Sequence, residues 1–478
     1  MPLLTAIAIA LGSSKQTIKA ISIVGSTILT LLLFVIVYAI YSSGPIQTGI
    51  LYVDQLSGLL LTVIAILSFT TSLFSASYME HELAGERNEL RVLRRYYVLL
   101  NVFCFTMISV LVVENLGLMW VAIEATTLAS ALLVAFYFSR SAIEAAWKYV
   151  MVCTVGICLA LLGTILLYYA QVNVGPEGGE ALSWLALRDV GDRLDPGMAK
   201  LAFIFILIGY GTKVGLAPMH TWLPDAHSQA PSPVSGLLSG ALLSCALYAI
   251  MRNITVVKGA VGFEFIQQLL IFLGLLSISI AIPFLLVQHD VKRLLAYSSV
   301  EHMGIITLAL GIGTPLAVYG ALLHIFNHAI AKSALFFIAG LITQQYRTKH
   351  IMRIRGIISV MPYLGTAFVL FALTITGTPP FGVFFSKFII TWAAFDGGFR
   401  VVGSMLLLLL AGVFAGMMYY CFQMVFTSPT GCTKTIKIGI PAKAAMALSA
   451  IIIAVSGFYL PEYFDSALHQ AAAIVIGG

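Results

Sequence analysis

Three ionisable side chains, His324, His328 and Lys332, recur at every fourth residue of the run HIFNHAIAK. On an α-helix that spacing stacks them one turn apart on one face, with about 6 Å between neighbours. The run lies inside an apolar segment, 316–343. A lysine at the centre of a membrane helix costs about 3 kcal/mol, so it needs a partner or a water-filled route. One membrane histidine alone reads as a satisfied interhelical hydrogen bond. Two imidazoles, which change charge near neutral pH, on one stripe with an ammonium read as a proton relay.

Other ionisable groups fall inside apolar stretches. Glu124 lies mid-segment in MWVAIEATTLAS, and Lys213, just before a Pro-rich break, is its expected partner. Lys387 lies just after a second break, the equivalent place in the other half of the chain. A lysine whose carboxylate partner moves away can take up and release a proton, the chemistry of a pump or antiporter. The alternative is a static ion pair that fixes helix packing. Glu301 and His302, in SSVEHMG, could link the two halves. His220, Asp225 and His227 lie in or after the first break and could line an entrance or cap helix ends. Glu144 with Lys148, and Asp54, read as interfacial features.

The elements that must position these groups are membrane helices. Of 478 residues, 60% are hydrophobic and 10% charged, against about 25% charged in an ordinary soluble domain. No polar stretch is long enough for a separate soluble domain. Apolar segments fall at 2–12 (short), 17–41, 55–76, 96–114, 116–138, 144–170, 199–216, 233–252, 262–287, 293–313, 316–343, 359–397 (interrupted), 403–427 and 438–460. This predicts an all-α polytopic membrane protein of about fourteen helices. The first segment is expected to be a short span, not a cleaved signal.

Pro218, Pro224, Pro231 and Pro233 interrupt the seventh helix, and Gly377, Pro379, Pro380 and Gly382 the twelfth. Broken backbone at membrane depth is tolerated where it is buried in protein or lines water. The matching breaks predict two five-helix repeats, helices 4–8 and 9–13, the second inverted. The expected divisions are 1–95, 96–252, 262–427 and 428–478. With the N-terminus outside, 17 of the 26 Lys and Arg residues fall on the inner side, 6 outside and 3 within spans, in accord with the positive-inside rule. Arg252 belongs to the outer set and Arg87 and Lys434 to the inner one. Both termini are expected outside. The outer loop 171–198 carries Glu177, Glu180, Asp189, Asp192 and Asp195 as an acidic surface. Cys104, Cys153, Cys158, Cys245, Cys421 and Cys432 are scattered, so no metal or iron–sulfur site is expected in this chain.

The runs TKVGLAPMHTWLPDAHSQAPSPVSGLLSG, DVKRLLAYSSVEHMG, HIFNHAIAKSALF and GTPPFGVFFSKF resemble the signatures of the antiporter-like subunits of complex I and its relatives. Together they cover most of residues 50–430. WVAIEATTLASALLVAFY, AIEAAWKY and YSSVEHMG are most similar to hydrogenase-4 component F, of membrane-bound group 4 [NiFe] hydrogenases. The resemblance implies fourteen helices with broken helices 7 and 12. It implies Glu124 and Lys213 as a glutamate–lysine pair, Lys332 with His324 and His328 as the central group of helix 11, and Lys387 as the terminal group of helix 12. Many members place Lys or His on helix 8. Here the candidate positions are Ser239 and Ser244, which can hold a water chain but cannot store a proton near neutral pH.

The sequence therefore predicts a proton- or Na⁺-translocating subunit of a redox complex, probing no chemistry of its own: no catalytic residue and no cofactor. A nickel–iron centre and iron–sulfur clusters are expected in partner subunits. Those partners are other membrane subunits and a peripheral redox arm, with lipid around and no nucleic acid, in a prokaryotic cytoplasmic membrane. Alternatives are a quinone-linked complex I subunit, an Mrp-type cation/proton antiporter subunit and a non-transporting scaffold.

Overall fold

A computed structural model describes residues 1–86, 88–172, 174, 182–429 and 435–477. Arg87, Glu177, Glu180, Cys432 and Lys434 lie outside the described residues. The chain is a bundle of helices: α1 (Pro2–Leu11), α2 (Lys15–Ser43), α3 (Gln55–Glu82), α4 (Glu89–Val112), α5 (Leu116–Val134) and α6 (Arg140–Val172). Next comes α7, in two parts (Pro196–Val214 and Trp222–Gln229), then α8 (Ser232–Val261), α9 (Phe263–Leu286), α10 (Val291–Ile312) and α11 (Pro315–Tyr346). α12 is again in two parts (Pro362–Thr376 and Gly382–Asp396), followed by α13 (Arg400–Val425), α14 (Ile440–Phe458) and α15 (Glu462–Ile476). A short hairpin, β1 (Ile46–Thr48) with β2 (Leu51–Val53), precedes α3.

Twelve of these helices are long and apolar enough to cross a membrane. With α1 and the two-part α12 they match the fourteen segments expected. α1 has 10 residues, so it spans about 15 Å of a hydrocarbon core roughly 30 Å thick. α15 is a further helix that hydropathy did not signal. It packs its Ala467, Leu468, Ala471 and Val475 face against α3, α8 and α11.

The two halves share one order of neighbours. α4 packs on α5, α5 on α6, α6 on both parts of α7, and α7 on α8. The same order recurs through α9, α10, α11, both parts of α12, and α13.

The helix ends that carry Lys19, Arg94, Lys148 and Arg293 meet at one end, the basic face. There Lys19 pairs with Glu80 at 2.7 Å, Arg94 donates to the Gly12 carbonyl at 2.7 Å, and Arg293 and Lys148 both reach Asp225. Two loops on this face are stitched together. The Val291 amide donates to the Lys349 carbonyl at 3.0 Å and the Ile351 amide to the His289 carbonyl at 2.8 Å.

Arg252 corrects the loop assignment. α8 runs on to Val261, and Arg252 is fully buried in it. Its guanidinium grips Asp54, the N-cap of α3, with Nη1–Oδ2 at 2.7 Å, and its face lies 4.3 Å from the Trp184 ring centroid. The pairing offsets the cost of burying the charge, so Arg252 lies within α8 and not in a loop after it.

α9 and α10 touch backbone to backbone, as membrane helices do where small residues line the seam. A Cβ on Gly304 would come within 2.9 Å of the Gly274 carbonyl oxygen. Gly304→Val is therefore expected to lower stability by about 1–3 kcal/mol, read as a drop in the thermal midpoint of the purified protein.

Candidate functional site: two buried polar clusters

α7 breaks because Gly215 adopts a left-handed conformation (φ 82°) and Pro218 has no amide to donate. The carbonyl of Thr212 freed by the break accepts from Trp222 Nε1 at 2.8 Å. Lys213 occupies the last turn before the break and is completely buried. Its Nζ donates to Thr127 Oγ1 at 2.8 Å and to Tyr149 OH at 2.6 Å. Thr127 in turn donates to Glu124 Oε2 at 3.2 Å, and Thr154 to Glu124 Oε1 at 3.0 Å. Tyr149 OH and Ser130 Oγ share a hydrogen bond of 2.7 Å.

The expected Glu124–Lys213 pair is thus bridged by a hydroxyl. Among the described residues no ion pair within 4.0 Å joins the two. Thr127 and Tyr149 were not singled out in the sequence. Thr127 carried a signal, since it lies one turn from Glu124 on the same helix face. Tyr149 carried none.

The second cluster spans α10, α11 and α12. His302 Nδ1 and His324 Nε2 are 2.8 Å apart, and His324 Nδ1 is 2.8 Å from Ser386 Oγ. Glu301 Oε2 lies 3.3 Å from His302 Nε2, and Lys387 Nζ donates to Glu301 Oε1 at 3.0 Å. Lys387 also reaches the Ile375 and Thr376 carbonyls at 3.4 and 3.5 Å, so it caps the first part of α12 across the break. All five groups are 5% exposed or less.

One arrangement of donors and acceptors runs through both histidines, set by which tautomer each adopts. Ser386 donates to the Val383 carbonyl, so it accepts from His324 Nδ1–H. His324 Nε2 is then an acceptor for His302 Nδ1–H. In a neutral His302, Nε2 would be a second acceptor facing Glu301 Oε2. The contact is satisfied when a proton sits between these two atoms, on the imidazole or on the carboxyl.

Lys332 donates to Ser298 Oγ. His328 packs its ring 4.8 Å from that of His302, and neither of its nitrogens has a hydrogen-bond partner among the described residues. His227 is buried and stacked on Phe336 at 5.0 Å, one turn from Lys332.

The remaining candidates fall elsewhere. His220 packs between Phe284 and Tyr297, with ring centroids at 6.0 and 6.1 Å. Asp225 is held by Arg293 and Lys148 on the basic face, away from both clusters. Ser244 donates within its own helix to the Gly240 carbonyl at 2.9 Å. Ser239 instead reaches α10, 2.8 Å from Ser299 Oγ. Ser239 lies within a π-turn of α8, Leu238–Leu242, a feature that often marks functional positions. Among the described residues no group of three or more His, Cys, Asp or Glu side chains could hold a metal ion.

The chain as a whole is similar to known proteins. Residues 113–419 match the family described as NADH:quinone oxidoreductase/Mrp antiporter, TM. A hydrogenase-4 component F homolog of Methylacidiphilum infernorum is 39% identical over 86% of this chain and 85% of its own. NADH-quinone oxidoreductase subunit N of Desulforudis audaxviator is 32% identical over 75% of this chain and 69% of its own. A chain in the structure of the membrane-bound sulfane sulfur reductase, an archaeal respiratory membrane complex, superposes with a TM-score of 0.87 at 25% identity, covering 99% of this chain and 96% of that one.

Proposed function

Because the chain belongs to the NADH:quinone oxidoreductase/Mrp antiporter transmembrane family, we propose that it is a proton-translocating, antiporter-like subunit of a membrane-bound redox complex of the hydrogenase type. The observation that carries the reading is the buried cluster on three helices in which Lys387 hydrogen-bonds Glu301 and His302 reaches Ser386 through His324, with Glu301 Oε2 3.3 Å from His302 Nε2 between the two links. A proton added at one group changes the charge its neighbour meets, so uptake and release propagate along the line. Glu124, Thr127, Lys213 and Tyr149 form the corresponding device in the first half.

Electron transfer takes place in partner subunits, which hold the nickel–iron and iron–sulfur centres. This chain supplies the ion route. The basic face lies toward the cytoplasm, in accord with the positive-inside rule. The chemistry favours protons over Na⁺. A hard cation wants several oxygen ligands, whereas Glu124 and Glu301 sit in separate clusters, each facing N–H or O–H donors.

The test uses native membranes holding the whole complex, with redox turnover and pH-gradient formation recorded together, with and without sodium. Thr127→Val removes the bridge between Glu124 and Lys213 at nearly constant volume. Gradient formation per turnover is expected to fall about 10²-fold, the scale of a lost positioned proton-transfer group. An unchanged gradient would demote the first cluster to a packing feature. A gradient that needs sodium would overturn the proton reading. A gradient formed with no redox partner would favour an Mrp-type antiporter.

A further inference from the structure

On the basic face, outside both clusters, a cavity of about 570 Å³ opens between the ends of α3, α8, α10 and α11. A second cavity, of about 660 Å³, adjoins it and shares Arg347, Thr348 and Lys349. The first is lined by three cations, Lys292, Arg347 and Lys349, against one carboxylate, Glu82.

The two lysines are held by backbone carbonyls. Lys292 is 3% exposed, and its Nζ donates to the Ala230 carbonyl at 2.5 Å. Lys349 donates to the Ser228 carbonyl at 2.5 Å. Each ammonium carries three N–H donors, so two on each remain to be directed elsewhere. Among the described residues no ion pair within 4.0 Å includes Lys292, Arg347 or Lys349.

The neighbouring carboxylates are committed to other donors. Glu82 accepts from Tyr137 OH at 2.7 Å and from Gln344 Nε2. Asp290 caps α10, accepting from the Lys292 and Arg293 amides at 2.8 and 3.0 Å, and takes the Ser228 hydroxyl at 2.9 Å. Asp225 holds Arg293 and Lys148. Burial pushes the Lys349 ammonium below its ordinary range, with Asp290 and Glu82 opposing the shift. A buried cation without a counter-charge costs several kcal/mol, and a bound anion removes that cost.

We propose that this basin is a phosphate-binding site, with Lys292, Arg347 and Lys349 as its ligands, placed to take the headgroup of an anionic phospholipid. The basin lies where helix ends meet the headgroup layer, and basic pockets between helices on that side of a membrane suit phosphate headgroups. Binding there would also hold the 347–350 loop against α10.

The test is thermal unfolding of the purified full-length chain in detergent. Phosphatidylglycerol, phosphatidylcholine and inorganic phosphate are titrated separately. The midpoint is expected to rise with phosphatidylglycerol and not with phosphatidylcholine. Lys349→Gln and Arg347→Gln, at less buried positions, should each lose about fivefold in apparent affinity, the equivalent of about 1 kcal/mol per cation. Lys292→Gln should lose at least as much. A rise with inorganic phosphate alone supports the site and identifies a free anion as its occupant. An equal rise with phosphatidylcholine, no rise with either anion, or full response in both the Lys349 and Arg347 variants overturns the proposal.

Discussion

Lys332→Ala is expected to cut pH-gradient formation per redox turnover by about 10²-fold while the complex still assembles. Assembly should survive because Lys332, fully buried, has Ser298 as its hydrogen-bond partner, and losing an ammonium at that depth removes a burial cost. Loss of the gradient alone would not separate a relay from a fixed counter-charge. Lys332→Arg does. The guanidinium keeps the cation and cannot be deprotonated in a protein. A relay stays broken in this variant, whereas a static charge is restored. The measurement is the one described for native membranes, with assembly checked on native gels. An unchanged gradient in Lys332→Ala would make HIFNHAIAK a packing feature and bring the scaffold reading forward.

The second large effect is on stability. Asp54→Ala leaves the Arg252 guanidinium, 0% exposed, without its carboxylate. Breaking a buried ion pair by removing one partner costs about 3–5 kcal/mol. The thermal midpoint and the yield of folded protein should both fall sharply. Replacing both partners by apolar residues, Asp54→Leu with Arg252→Met, should recover most of the loss, since such pairs are often neutral against packed hydrophobes. Failure of the double variant to recover would mean that the pair does more than hold α3 to α8. Recovery without return of pumping would give it a place in ion movement.

The helices and their breaks were legible because hydropathy and proline act locally. A run of about 20 apolar residues announces a span wherever it occurs. The stripe His324, His328 and Lys332 was legible for the same reason, as its spacing lies on one helix. Partnership across the bundle was not. Asp54 and Arg252 are 198 positions apart, and nothing near either one names the other. Glu124 and Lys213 were paired by charge and by resemblance; the spacing put Thr127 on the face of Glu124, but only the packing of α5 against α7 sets its hydroxyl between the two. α15 was missed because its apolar face is a narrow stripe, too short for a hydropathy window. Asp225 was read from the break beside it as lining an entrance or capping a helix end; that Arg293 and Lys148 reach it depends on partners 68 and 77 positions away.

The stitched loops bear on how the second cluster can move. The backbone bonds from Val291 to Lys349 and from Ile351 to His289 rivet the start of α10 to the end of α11. These two helices carry Glu301, His302, His324, His328 and Lys332. Riveted at one end and packed along their length, they cannot ratchet past each other by a turn. A proton that changes owner here does so by the swivel of an imidazole ring or the swing of a lysine tail, each a single side-chain rotation. The frame stays still and the switch is as small as one rotamer.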